Sequence, residues 1–160
     1  MSTLQWFEAV MPVGLEVRQV YGFIFAADGR VLLLEDEGKY NLPGGKPENI
    51  ESMAQTLARE TLEEAQTTIV SCEYLGYQLV EEDERFAQVR LVGTIGRILP
   101  ADVDPSTGRK NIRLLVPPKE LNGYLRWGES GEQQIACAVA AASKFGVQWD
   151  GTPLGYVETI

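Results

Sequence analysis

Residues 42 to 64 constrain the fold of this chain more than any other stretch. Leu42-Pro43-Gly44-Gly45 is a turn in which proline fixes φ and the glycines let the backbone pass close to a ligand. A helical segment follows, with Asn49 as its expected N-cap and Ala65 as its expected end. At 3.6 residues per turn, Glu60, Glu63 and Glu64 share one face. Ala54, Leu57, Ala58, Thr61 and Ala65 form a stripe on the other side, so the helix is expected to lie on a sheet with its acids outward. Glu64 stands nearest the apolar border and is the acid expected to be partly desolvated. Like charges this close repel unless a cation stands among them, and clustered oxygen ligands suit Mg²⁺ or Mn²⁺. The plain alternative is an acidic helix that is simply solvated.

The rest of the chain reads as strands around that helix. Val17 to Ala26 and Val31 to Leu34 make a hairpin across Asp28-Gly29. Thr68 to Val80 and Phe86 to Ile98 are long strands joined by the acidic turn Glu81 to Glu84, which reads as solvated. In the second of them Ala87, Val89 and Leu91 face a core, while Gln88 and Arg90 occupy the non-core face. Pro100 to Arg109 is a polar loop, Asn111 to Val116 a short strand, and Lys119 to Leu121 a short helix. Ser130 with Gln133 signals a capping box for a last helix with Ile135, Ala138, Val139 and Ala142 buried and Gly146 as its stop. The tail from 147 to 160 carries no clear pattern. These elements indicate a single α/β or α+β domain over residues 1–160.

The spacing of Gly45, Glu51, Arg59, Glu60, Glu63 and Glu64 resembles the Nudix box: a glycine, five residues, a glutamate, seven residues, then Arg-Glu-U-x-Glu-Glu-x-Gly-U, where U is a bulky aliphatic. Thr61 stands at the first U, Gln66 at the glycine and Thr67 at the last U, all on the structural side of the motif. The resemblance is specific over residues 42 to 64 and elsewhere agrees in element order. It implies an α/β/α sandwich with a mixed β-sheet. It also implies hydrolysis of a nucleoside diphosphate linked to another group, by water attack on phosphorus, with Mg²⁺ or Mn²⁺ as cofactor. By motif match Glu60, Glu63, Glu64 and the Gly44 carbonyl look like the metal ligands, and Arg59 and Glu51 like an ion pair that orients loop and helix.

Glu64 is the first choice for general base, with Glu129 or Glu132, before the final helix, as later-loop alternatives; each reads as well as a solvated helix-start carboxylate. Tyr40 and Trp127 offer faces for a nucleobase, and Arg90 with Gln88 offers contacts to phosphate or ribose; packing under a loop or plain surface polarity are the alternatives. Arg18 and Arg113 are weaker candidates.

Composition narrows the function. The formal charge of −9 argues against a duplex nucleic acid or an anionic membrane as partner, and against a track for RNA. The chain has no histidine, which removes histidine catalysis and speaks against the isopentenyl-diphosphate isomerase branch. Cys72 and Cys137 are isolated, cannot supply the zinc site of NADH-type members, and fit a reducing, cytoplasmic setting. No proline or tyrosine stands 15 to 18 residues beyond the box, where ADP-ribose and dinucleoside-polyphosphate enzymes tend to carry one. A small nucleotide derivative is the expected substrate. Many relatives dimerise, so a homodimer is an open assembly. Two other functions stay open: a nucleotide-sensing Nudix-fold module without catalysis, and an RNA 5′ pyrophosphohydrolase.

Overall fold

The structure, a computed structural model, describes residues 2–145 and 155–160. Its elements are β1 (Thr3–Phe7), β2 (Val17–Phe25), β3 (Val31–Asp36), β4 (Lys39–Asn41), β5 (Gly44–Gly45), α1 (Met53–Ala65), β6 (Thr67–Glu81), β7 (Arg85–Ile98), β8 (Ile112–Val116), α2 (Pro118–Leu125), α3 (Gly128–Ala142) and β9 (Glu158–Thr159). A 3₁₀ turn, Ser143–Phe145, follows α3.

Alternation along the strands decides the architecture. Val20 and Ile24 of β2, Leu32 and Leu34 of β3, and Val89 and Leu91 of β7 join one buried cluster with Leu57 of α1. Phe23 and Phe25, Val31 and Leu33, and Val92 join a second cluster with Leu121, Leu125, Ile135 and Ala138 of α2 and α3. A sheet apolar on both faces needs a cover on both, and α1 and the α2–α3 pair supply them. The strand order is β1-β6-β7-β2-β3-β8-β9, with β4 on β3 and β5 on β2. β2 and β7 run parallel and the other pairs antiparallel, so the sheet is mixed and the fold is the expected α/β/α sandwich.

Several local expectations are corrected. Ser52, not Asn49, caps α1: its side chain accepts from the Gln55 amide while the Gln55 side chain accepts from the Ser52 amide. Asn49 sits at φ 51° in the loop before it. Ala54 and Ala58 are exposed, and Thr56 joins Leu57, Thr61 and Ala65 on the buried stripe. α3 starts at Gly128, so Ser130 lies inside its first turn and accepts from Gln134 Nε2 at 2.9 Å instead of capping. Val139 is 38% exposed. Arg90 is buried, because the face of β7 that carries it is covered by α3. β1, the short strands β4 and β5, and the full length of α2 add to the sequence reading. Gly146 and residues 147–154 lie outside the described residues.

The three departures from the box fall where the helix meets the fold. Gln66 takes the left-handed conformation, φ 47°, which is the reason a glycine suits this position. Its side chain offsets part of that strain by donating to Glu63 O at 3.0 Å and accepting from the Asp102 amide at 3.0 Å. The last four carbonyls of α1 all find donors: Leu62 O from Gln66 N, Glu63 O from Gln66 Nε2, Glu64 O from Asn111 Nδ2, and Ala65 O from Thr67 Oγ1 and Arg113 Nη1. Arg113 therefore serves the helix end and not a substrate. Thr61 is fully buried in the aliphatic slot and its hydroxyl has no partner among the described residues. An unpaired buried hydroxyl costs about 1–3 kcal/mol. Thr61→Val should therefore raise unfolding free energy by about 1 kcal/mol in denaturant melts; a loss of stability would show that the hydroxyl has a partner after all.

Candidate active site

The site is built where β5 meets α1. Pairing of Gly44 with Tyr21 and of Gly45 with Val20 lays the turn along β2. A Cβ on Gly44 (φ 150°) would stand 2.1 Å from Val20 O, and one on Gly45 would stand 2.4 Å from Glu60 Oε1. The two glycines thus leave room for the sheet on one side and for the Glu60 carboxylate on the other. The Gly44 amide donates to Glu64 Oε1 at 2.9 Å.

Arg59 organises the acids. It grips Glu51 through Nε and Nη2 at 2.8 and 3.2 Å and donates to Lys46 O at 3.1 Å, tying the 46–51 loop to α1. Its Nη1 reaches Glu60 at 3.1 Å and Glu63 at 3.3 Å. Glu51 also accepts from the Glu48 amide and Thr56 Oγ1. The Arg59 guanidinium holds the Glu51 carboxyl down at about 2. Burial pushes the Glu60 carboxyl up against the pull of Arg59. Glu64 behaves as the helix pattern suggests: burial, with the neighbouring Glu60, Asp104 and Glu63 charges, raises it to about 8 despite the Gly44 amide.

One acid of this site was not singled out in the sequence. Asp104 is 2% exposed and shares a pocket with Glu64, Tyr21, Asn41 and Asn111. Its Oδ1 accepts from Ser106 N and Oγ, both at 2.9 Å, and Gly108 N closes the turn onto its carbonyl. Arg109, at the end of that turn, makes a two-point ion pair with Asp36 of β3 at 3.0 and 2.6 Å. A lone aspartate in a polar loop looks like a turn former, and only its tertiary position marks it. Glu129 is exposed, and Glu132 accepts from Asn122 Nδ2 at the α2–α3 junction. Neither lines the pocket of Glu64.

The donor set fits a hard divalent cation: carboxylates that raise one another's proton affinity, with Glu60 seated directly against the glycine turn. Among the described residues no group of three acids already stands in ligand geometry. Arg59 and the Gly44 amide occupy the carboxylates in this arrangement, so a cation would compete with both.

A second cavity, of about 500 Å³, adjoins the first through the shared walls Tyr21 and Asn41. Arg90 lies against Tyr21 and Trp127, with its Cζ 5.3 and 4.8 Å from the ring centres. Its Nε donates to Gln134 Oε1 at 3.0 Å and its Nη2 to Gln78 Oε1 at 3.4 Å. Burial pushes the guanidinium down to about 10, leaving it charged at neutral pH. Gln88 lines the same cavity and donates to Gln19 Oε1 at 2.6 Å. Trp127 and Gln88 are thus gathered with Arg90, whereas Tyr40 packs edge-on against Tyr124, its ring centre 5.0 Å away. Arg18 pairs with Glu16 and Glu84. Cys72 and Cys137 are free thiols.

Three layers of helix, mixed sheet and helix, with an acidic helix seated on a glycine turn, define a Nudix-type fold and site. The NUDIX domain model matches residues 16–141, and the chain belongs to that family. That family is one of hydrolases acting on acid anhydrides, and the chain is of this enzyme class. No curated protein matches the sequence. Solved structures resemble it at low identity. The pyrophosphohydrolase BsRppH of Bacillus subtilis is 18% identical with a TM-score of 0.72, covering 90% of this chain and 93% of that one. A Nudix hydrolase from Nitrosomonas europaea is 20% identical with a TM-score of 0.61, over 85% and 98%. The C. elegans Ap4A hydrolase in a binary complex is 17% identical with a TM-score of 0.60, over 81% and 99%. Among the described residues no helix is long and apolar enough to cross a membrane.

Glu64 implies a sign for the pH dependence of stability. Its folded-state value of about 8 exceeds the ordinary 4.5, so the folded metal-free protein keeps a proton that the unfolded chain has released. Its stabilising contribution is full below the ordinary value and is lost as pH rises through about 8. Chelator-treated protein should melt at progressively lower temperature across that window, and Glu64→Gln should flatten the slope. Equal slopes for the two proteins would place Glu64 in water.

Proposed function

We propose that this chain is a metal-dependent pyrophosphohydrolase of a small nucleotide derivative, cleaving a phosphoanhydride by water attack on phosphorus. The observation that carries this reading is the adjacency of the two pockets: Tyr21 and Asn41 line both the Glu64–Asp104 pocket and a cavity with aromatic and amide walls. A substrate can then place its pyrophosphate among the carboxylates and its remaining part against Trp127, Gln88 and Arg90.

Glu60, Glu63, Glu64 and the Gly44 carbonyl would hold Mg²⁺ or Mn²⁺, which neutralises phosphate charge and lowers the barrier to attack. The protein's own residues do the rest. Arg59 and Glu51 fix the loop against α1, so that the ligand carboxylates hold their positions on the helix. Glu64 and the later-loop acid Asp104 line one pocket, which supports these two carboxylates as the candidates for the base that activates the attacking water. Buried Leu42 and half-buried Tyr21 form the apolar part of that pocket's wall.

Product analysis over (d)NTPs, ADP-ribose, nucleotide sugars, dinucleoside polyphosphates and coenzyme A, with Mg²⁺ or Mn²⁺, tests the proposal. Glu63→Gln should keep the melting profile and lower kcat by about two orders of magnitude or more. Unchanged turnover removes Glu63 from the site, and nucleotide binding without cleavage anywhere on the panel would make the chain a sensing module. Glu64→Gln and Asp104→Asn separate the two bases. The variant that lacks the base should lose the acidic limb of the pH–rate profile, and the other should retain it at lower amplitude.

A further inference from the structure

The Arg90 cavity contains a feature that the hydrolysis reaction does not use. Arg90 is 2% exposed, and among the described residues no carboxylate pairs with it. Two of its nitrogens are satisfied by glutamine oxygens, yet among the described residues Nη1 has no hydrogen-bond partner. A buried guanidinium with an idle donor is costly, and a ligand that brings an acceptor recovers that cost. The neighbouring wall indicates what kind of acceptor. Phosphate sites are lined by donors; here Arg126 is exposed, while the rest of the wall, Gln19, Gln78, Gln88 and Asn41, presents both donors and acceptors beside the indole of Trp127. Mixed amides next to an aromatic face suit the edge of a neutral heterocycle better than an anion.

We infer that Arg90 is a specificity-determining residue that reads the 6-oxo group of a purine or the 4-oxo group of a pyrimidine in the substrate's nucleobase, selecting bases with oxygen at that position (guanine, hypoxanthine, uracil) over those with an amine there (adenine, cytosine). An arginine fork donates to a keto oxygen, and the exocyclic amine of adenine or cytosine would set donor against donor. The Gln88 carbonyl oxygen, whose amide nitrogen is committed to Gln19, is free to accept the ring N–H that accompanies the oxo group. Trp127 covers the guanidinium from the α2–α3 link, between Arg126 and Gly128, both at positive φ. Nη1 is buried beside the indole, so the inferred contact requires Trp127 to move aside when the base enters. The inference rests on the substrate's being a nucleotide, as proposed above.

Inosine and adenosine 5′-triphosphates form one pair for the test and uridine and cytidine 5′-triphosphates the other, since each pair differs at the group in question. The wild-type protein should favour the oxo member of each pair by about ten- to a hundredfold in kcat/KM. Arg90→Met should bring both ratios close to one. It removes an unpaired buried charge and leaves Gln134 donating to Gln78 Oε1 at 3.1 Å, so the wall keeps a hydrogen-bond link. Circular dichroism and melting confirm its fold. Ratios near one in the wild type overturn the inference without recourse to any variant, and so do unchanged ratios in folded Arg90→Met. Should no nucleotide be cleaved, the proposed hydrolysis fails separately. Calorimetry with the same four nucleotides then decides: tighter binding of the oxo members supports the role of Arg90, and equal or absent binding overturns it.

Discussion

Three glutamates on one helical face repel each other, and the site exists because one guanidinium and four capped carbonyls hold that helix in place. Arg59 meets Glu51, Glu60, Glu63 and Lys46 O together, so loop, helix and box carboxylates share a single hub. At the other end, Gln66, Thr67, Asn111 and Arg113 satisfy the last carbonyls of α1. Each contact alone is worth little at a partly wet surface. Their effect lies in fixing the rotation and axial position of α1, on which every acid–acid distance depends. Desolvation of Glu64 follows from that position, since a small rotation would return it to water.

The parts of this architecture legible in the sequence are those set by local periodicity. The β2–β3 hairpin, the β6–β7 pair and α1 follow from alternation or from 3.6-residue spacing, and they appear with boundaries close to those expected. Glu51, Arg59 and the box acids meet because spacing along a helix and its lead-in loop is itself a local property. Ser52 took the cap from Asn49 because Gln55 could return its hydrogen bond, a reciprocity that a single preferred residue does not reveal.

What the sequence hid depends on contacts between distant elements. A strand reading of β7 assigns Arg90 and Gln88 to a non-core face, and nothing local to β7 shows that α3 will cover it. Asp104 has no motif at all. Its place in the site comes from the Arg109–Asp36 pair, which fastens its turn to β3. Tyr40 suits a nucleobase or a neighbouring ring equally well in the sequence, and its contact with Tyr124 depends on α2, a distant element.

The parallel pairing of β2 with β7 bears on when the site can form. Val17 stands opposite Ala87 and Phe25 opposite Thr94, while the glycine turn, α1 and all the box acids lie in the stretch of chain between them. That crossover must close before the helix has a sheet to rest on, and closing so long a loop is entropically slow. On the ribosome, the acidic helix must wait until β7 has emerged before it can dock. Until then its carboxylates remain in water, and the pocket around Glu64 lacks the Asp104 and Asn111 walls that follow β7 in the chain.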